Sequence, residues 1–221
     1  MLVSEGVDVG VVMSIVGIRR MEIAFEGEAD HAGTTPMNLR RDALVAAART
    51  VDSVRRAADA LAAEGGDYFV ATVGILDLSP SASNVVPGRS RLIIDARSTS
   101  PEMTRRFVER IDRESADHAR AAGVRRTRFA VLSDAPPAAC DPALRAALRY
   151  AAKRLGSSAG ELASGAGHDA AFMTRICPAA MIFTPCRAGK SHAPEEWADR
   201  EALATGTAVM LETVCAIDRT M

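Results

Sequence analysis

Residues 21–26 read Met-Glu-Ile-Ala-Phe-Glu, with apolar and polar side chains in strict alternation. A period of two predicts a β-strand that buries one face and exposes the other. Downstream, some segments have apolar residues at helical spacing, and others are runs of strand-forming residues. The elements predicted after this strand are, in order, a helix over 41–63, strands over 68–78 and 91–97, a helix that begins at Pro101, and a strand over 124–132.

This order of elements predicts a ferredoxin-like split βαβ domain, with a four-stranded antiparallel sheet and two helices on one face. We place it at 19–134, because Asp134-Ala-Pro-Pro is a credible boundary. Residues 1–18 contain an apolar, β-branched run, which predicts a buried strand or a linker into one. Residues 135–221 alternate helices with a buried strand, as in the edge portion of an α/β sandwich.

Composition excludes several classes of function. The chain is 48% apolar and 25% charged, and its formal net charge of -1 gives no overall field for nucleic acid or an acidic membrane. No run approaches the roughly 18 apolar residues of a transmembrane helix, and no secretory signal is visible. The four cysteines, at 140, 177, 186 and 215, form no CxxC pair, which favours reduced thiols in a cytoplasmic protein.

Two of the four histidines stand in contrasting settings. His118 shares its helical phase with Ile111, so we expect it to pack there or to meet the helix C-terminus as a cation. His31 follows a strand directly and lies among glycines and small hydroxyl residues, where a side chain can project toward a ligand. A solvated loop histidine is the alternative for His31.

The other two histidines follow glycine-rich or polar loops. His168 stands between Gly167 and Asp169 at a predicted helix start, where backbone N–H groups suit an anion; an ordinary helix N-terminus is the alternative. His192 follows a buried strand, where metal ligands of α/β enzymes collect. Catalytic zinc takes about three protein ligands, so one histidine gives a partial site at best.

Asn84 and Arg97 complete the set of candidates. The guanidinium of Arg97 can take a substrate carboxylate through two parallel hydrogen bonds, or it can pair with Asp95 two residues earlier. Asn84 is by default a turn residue in its loop. The residues alone leave both alternatives open.

Six segments together carry a resemblance that covers nearly the whole chain. They are GEADHAGTTPM (27–37), RRDAL (40–44), SNVVPG (83–88), DAR (95–97), SGAGHDA (164–170) and MIFTPCRAGKSHAPEE (181–196). In this order they resemble the N-carbamoyl-L-amino-acid hydrolase, β-ureidopropionase and allantoate amidohydrolase group. That group belongs to a superfamily of zinc aminoacylases and carboxypeptidases with a catalytic α/β/α domain and an inserted lid.

The resemblance implies roles for three residues of the lid, residues 19–134. His31 is expected to reach the active site of a partner subunit and to stabilise the oxyanion of the tetrahedral intermediate. Asn84 and Arg97 are expected to hold the substrate, with Arg97 on its carboxylate. Ser81 departs from the family, which usually has Asn after the proline, and implies a changed loop contact.

The resemblance also implies roles in the C-terminal part of the catalytic domain, residues 135–221. Gly167 and His168 are expected to contact the substrate, and His192 to be the last zinc ligand, supported by Glu196. In the family, the segment resembling residues 2–6 follows a stretch with another zinc-binding histidine. The remaining ligands of a dinuclear site for Zn (or Mn, Co, Ni) and the general-base glutamate have no counterpart in these 221 residues.

The resemblance implies a metal-dependent amidohydrolase for N-carbamoyl-L-amino acids, a homodimer through the lid, here in a truncated form that is inactive alone. Its expected partners are the small carbamoyl amino acid and a second copy, with no nucleic acid and no membrane. One alternative is a non-catalytic dimerisation module that binds small carboxylates through Arg97 and Asn84. Others are an allantoate or β-ureidopropionate amidohydrolase fragment, and a poorly folded product that leaves an apolar face of residues 136–221 uncovered.

Overall fold

The structure is a computed structural model that describes residue 2, residues 6–191 and residues 193–219. The chain divides into two compact units. One, here the inserted unit, comprises Val16–Pro137, and the other, the flanking unit, comprises the described residues on either side of it. The sequence placed the corresponding boundaries at residues 18 and 134.

The bounds of the elements follow the chain. Within the described residues the strands are β1 (Val9–Ile15), β2 (Gly17–Glu26), β3 (Asp30–His31), β4 (Phe69–Ser79), β5 (Val85–Val86), β6 (Arg89–Ser98), β7 (Arg125–Ala135), β8 (Ala138–Ala139), β9 (Ala159–Ser164) and β10 (Ile182–Phe183). The helices are α1 (Ala43–Ala63), α2 (Pro101–Ala121), α3 (Pro142–Arg154), α4 (Ala170–Met173) and α5 (Arg200–Asp218). Short 3-10 turns occupy Met37–Leu39 and Arg187–Gly189.

The inserted unit contains a four-stranded sheet in the order β4-β6-β2-β7, and each neighbouring pair is antiparallel. Helices α1 and α2 pack on one face and share one core with the sheet. This confirms the predicted split βαβ fold. The alternation in the first quoted stretch sets the two faces, since Met21, Ile23 and Phe25 are buried in the core between sheet and helices.

The face of the sheet without helices carries ion pairs. The carboxylate of Glu22, whose side chain is only 12% exposed, accepts hydrogen bonds from Arg91 on β6 at 2.6 Å and from Arg128 on β7. Arg91 also donates to Asp77 on β4 at 3.0 Å. The hydrogen bond from Arg91 is the main reason that the pKa of Glu22 lies below its ordinary value. One carboxylate therefore links all four strands, directly or through Arg91.

The start of α1 differs from the sequence prediction. The helix predicted over 41–63 begins at Ala43, two residues later, and Pro36 precedes only a 3-10 turn. Asp42 is the N-cap, and its side chain accepts hydrogen bonds from the N–H groups of Leu44 at 2.9 Å and Val45 at 3.3 Å. An aspartate at this position satisfies N–H groups that a helix start leaves unpaired.

The flanking unit is built around β1. This strand pairs parallel with β9 and antiparallel with β8 and β10, and α3 and α5 cover its buried Val9 and Val11. The sequence did not predict β9, which reads Ala-Gly-Glu-Leu-Ala-Ser. Helix α5 also leaves large apolar side chains exposed, among them Leu203, Leu211 and Val214.

Two further properties concern the whole described chain. No helix among residues 2, 6–191 and 193–219 is long and apolar enough to cross a membrane. The four cysteines are free; Cys140 is buried and Cys177 is exposed. Burial raises the pKa of the Cys140 thiol, which favours its neutral form.

Gly27 follows β2 at a close backbone contact. A Cβ atom here would lie 1.9 Å from the carbonyl oxygen of Arg41 and 2.8 Å from Cγ1 of Val124. The same segment is tied by hydrogen bonds from Gly27 N–H to the Gly88 carbonyl and from Glu28 N–H to the Arg41 carbonyl. The absence of a side chain at Gly27 therefore lets the chain turn out of the sheet.

We predict that Gly27→Ala destabilises the protein by about 1–3 kcal/mol, because the new methyl group meets backbone atoms that cannot rotate away. The change is measured as a lower urea midpoint. Gly74→Ala is the matched control, since a Cβ there meets no atom within 4 Å. Equal midpoints for the two variants would contradict the close contact.

His118 lies between the two helices of the inserted unit, with Nε2 2.8 Å from the hydroxyl of Ser53 on α1. Burial lowers the pKa of His118, and the opposing field of Glu114 does not offset it. The predicted packing against the helix face is confirmed, and the lowered pKa argues against a cation at the helix C-terminus.

This lowered pKa predicts a pH dependence of stability. Below the ordinary histidine pKa of about 6.5, the unfolded chain binds a proton at His118 before the folded chain does. The free energy of unfolding therefore falls as the pH drops from about 6.5 to the folded-state pKa, and the contribution is fully present above that window. The measurement is the free energy of unfolding in urea, for wild type and His118→Gln, at pH 7.5 and 5.5. Wild type should lose more stability at pH 5.5 than the variant does. An equal loss of stability in both proteins would show that His118 is not the cause.

Candidate active site

His31 is exposed and lies in the segment over residues 27–36, here the His31 loop, which contains the two-residue strand β3. Gly33, two residues later, orients its imidazole. The N–H of Gly33 donates to Nδ1 of His31 at 3.0 Å. A backbone N–H can only donate, so Nδ1 is an acceptor and the proton of the neutral ring sits on Nε2. Nε2–H is the donor that His31 can offer to a ligand.

Hydrogen bonds with Asp30, Thr35 and Arg40 hold the backbone around His31. Its N–H donates to the carboxylate of Asp30 at 2.7 Å, which is the main reason that the pKa of Asp30 lies below its ordinary value. Its carbonyl accepts from the N–H of Thr35 at 3.1 Å and from the hydroxyl of Thr35 at 2.8 Å. The guanidinium of Arg40 donates to the carbonyls of Ala32 at 2.6 Å and Thr35 at 3.1 Å.

The structure brings the loop of Asn84 beside that of His31. Strands β3 and β5 pair His31 with Val85, and the N–H of Ala32 donates to the Asn84 carbonyl at 2.9 Å. Both His31 and Asn84 are exposed. Two residues 53 positions apart in sequence thus lie together at one end of the four-stranded sheet, where β2 ends and β6 begins.

Arg97 lies at the other end of that sheet. It pairs with Ile18 at the start of β2, whereas the His31 loop follows the end of β2. The distance along β6 from Arg89 to Arg97 is about 26 Å, at roughly 3.3 Å per residue. Nε of Arg97 donates to Asp95 at 2.7 Å, as the sequence allowed, and Asp95 also accepts from Arg20 at 3.1 Å.

An open cleft of about 720 Å³ in the flanking unit contains His168. Nε2 of His168 lies 2.7 Å from the hydroxyl of Ser164, and its ring centroid lies 5.6 Å from that of Phe183. Gly167 precedes it and is exposed. The carbonyl of His168 accepts the N–H of Ala171 at 3.0 Å, as at an ordinary helix start.

His192, the predicted metal ligand, lies outside the described residues. Glu196, its predicted supporting carboxylate, lines the cleft together with Lys190. Among residues 2, 6–191 and 193–219, no three His, Cys, Asp or Glu side chains are grouped so that they could hold a metal ion. The described donor set therefore does not fit the dinuclear site that the sequence resemblance implies.

Sequence reasoning named His31 but missed the residues that hold it. Gly33 and Arg40 act through hydrogen bonds that depend on the path of the loop. A glycine two positions after a histidine was the available signal, since its N–H can approach the ring without a side chain in the way.

Comparison with known proteins settles the family. The profile of Peptidase family M20/M25/M40 matches residues 2–216. The chain belongs to this family. The proteins similar to it include an N-carbamoyl-L-amino-acid amidohydrolase from Paenarthrobacter aurescens, 42% identical over 99% of this chain and 52% of its own length.

Two further relatives are similar over nearly the whole of this chain. A ureidoglycolate hydrolase from Oryza sativa subsp. japonica is 36% identical over 95% of this chain and 43% of its own length. The crystal structure of AtUAH in complex with (S)-hydroxyglycine superposes with a TM-score of 0.88 at 36% identity, over 96% of this chain and 50% of that one. The chain thus spans about half the length of the relatives it matches. These matches confirm the resemblance to amidohydrolases stated from the sequence.

Proposed function

We propose that this chain forms the lid and part of the catalytic domain of a metal-dependent amidohydrolase that acts on N-carbamoyl-L-amino acids. The hydrogen bond from Gly33 to His31 carries the proposal, because it presents Nε2–H as a fixed donor on an exposed loop. The relative from Paenarthrobacter aurescens supports the substrate class. Widely spaced free thiols favour a reducing, cytoplasmic location.

His31 is suited to stabilise an oxyanion. When water attacks the carbamoyl carbon, negative charge develops on the carbonyl oxygen, and a donor that is already oriented stabilises it without reorganisation. Gly33 orients the ring, and Asp30 and Thr35 hold the backbone on either side of its Cα. Asn84, next to this loop, is proposed to bind the same substrate.

Arg97 is proposed to bind the substrate carboxylate, in a site shared with a second copy of the chain. About 26 Å of strand separates it from the end where the His31 loop begins, which exceeds the length of a carbamoyl amino acid. If both residues act on one substrate, they come from different protomers. The proposed homodimer through the lid supplies this arrangement, with His31 and Asn84 from one protomer and Arg97 from the other.

The flanking unit is proposed to contribute Gly167 and His168 to substrate binding and His192 to a metal site for Zn, Mn, Co or Ni. Support for the metal comes from membership of the M20 family. The described residues form no metal site. We therefore propose that these 221 residues alone do not hydrolyse the substrate.

The separation of Arg97 from Asn84 also bears on the binding-module alternative. A small carboxylate bound by one chain through both residues would have to bridge the length of the sheet. The ureidoglycolate hydrolase relative supports a different alternative, in which the substrate is another ureido acid. Both ureido and carbamoyl acids combine a carboxylate with a planar –NH–CO–NH2 group, so Arg97 and His31 would keep their roles.

The two-protomer arrangement predicts complementation. In a chimera in which this chain replaces the matching half of the Paenarthrobacter aurescens relative, His31→Ala is expected to lower turnover about 100–1,000-fold. Randomly mixed dimers of His31→Ala and Arg97→Ala should recover about a quarter of wild-type activity, since half the dimers carry one complete site.

The control mixes the double variant His31→Ala/Arg97→Ala with the Arg97→Ala protein, and every dimer then lacks a complete site. Recovery in the control, or none in the test mixture, would contradict the assignment of the two residues to different protomers. Near-normal turnover of His31→Ala alone would remove His31 from the reaction.

The 221-residue chain alone is expected to release no ammonia from N-carbamoyl-L-amino acids with added Zn²⁺ or Mn²⁺, because its described residues provide no metal cluster. Metal content after dialysis, measured by mass spectrometry, should be well below one equivalent. Stoichiometric zinc together with ammonia release would overturn this part of the proposal.

A further inference from the structure

The side chain of Arg40 makes a contact that the proposed function does not use. It lies directly after the 3-10 turn that follows the His31 loop, and it is partly buried. Its Nη2 donates to the carbonyl of Ala32 at 2.6 Å, and its Nε donates to the carbonyl of Thr35 at 3.1 Å. One guanidinium thus holds two carbonyls of the turn over residues 31–35.

These two carbonyls flank the residue that orients the imidazole. Gly33 lies between Ala32 and Thr35 in sequence, and its N–H reaches Nδ1 of His31 only while the turn keeps its path. Glycine has wide conformational freedom, so the turn gains no rigidity from Gly33 itself. The two hydrogen bonds from Arg40 add to those from Thr35 in keeping this N–H directed at the ring.

We propose that Arg40 is a positioning residue that fixes the orientation and the neutral tautomer of His31 through Gly33. The catalytic part of this inference rests on the proposed role of His31. The positioning of the His31 ring by Arg40 is a property of the chain without substrate. Arg40 touches no reacting atom in this scheme. It determines which ring nitrogen carries the proton that His31 offers.

The planar fork of arginine is what the contact requires. Nε and Nη2 donate from fixed positions to two separate carbonyls, whereas a lysine ammonium is a point charge on a flexible stem. Arg40→Lys keeps the charge and most of the length but loses the fork. Arg41→Lys is the matched control, because Arg41 is the adjacent residue of the same type and its side chain is exposed.

The test is long-range ¹H–¹⁵N correlation spectroscopy of the histidine rings in the 221-residue chain, at a pH where they are neutral. The His31 signals are assigned from their loss in His31→Gln. Wild type and Arg41→Lys should show Nδ1 as the unprotonated nitrogen of His31. Arg40→Lys should show Nδ1 and Nε2 shifts moved toward each other as the two tautomers mix, with the His118 and His168 rings unchanged.

An unchanged His31 spectrum in Arg40→Lys would overturn the inference, as would equal changes in all the histidine rings, which would indicate general unfolding. In the chimera described above, Arg40→Lys should lower kcat roughly 10–100-fold. KM should change little, since substrate binding is assigned to other residues. If the spectrum changes as expected but His31→Ala keeps normal turnover, the proposed function fails and the positioning role stands.

Discussion

The inserted unit depends on the pairing of β2 along both of its edges. Over Gly17–Glu26 it is hydrogen-bonded to β6 on one side, and over most of that length to β7 on the other. Because successive side chains point to opposite faces, a slip of one residue would move Met21, Ile23 and Phe25 out of the core. The register that buries these three side chains therefore also decides where the strand ends and where the His31 loop starts.

Much of the fold could be predicted from the sequence because its signals are periodic. Alternation identified β2, and helical spacing identified α1 and α2. The failures share a different cause. Strand β9 is rich in Ala, Gly and Glu, which have low intrinsic preference for strands, and it is a strand because β1 pairs with it. Likewise β3 and β5 are two-residue pairings that only the loops' tertiary contacts produce.

The residues of the candidate site could be predicted from the sequence, but their positions relative to one another could not. His31, Asn84 and Arg97 could each be named from the chain, but their distances depend on strand register. That register puts two of them together and the third at the far end. The contacts of Gly33 and Arg40 follow from a turn with no periodic signal. His192 lies outside the described residues, so its role stays a prediction.

The ion-paired face of the inserted unit limits how two such units can associate. A second sheet stacked on this face would have to dehydrate Glu22 together with the guanidinium groups bound to it, and removing charges from water costs several kcal/mol for each ion. A sandwich of two such faces is therefore disfavoured. The outer strands β4 and β7 each pair on one side only among the described strands, so an added strand could pair with either main-chain edge without removing water from these charges.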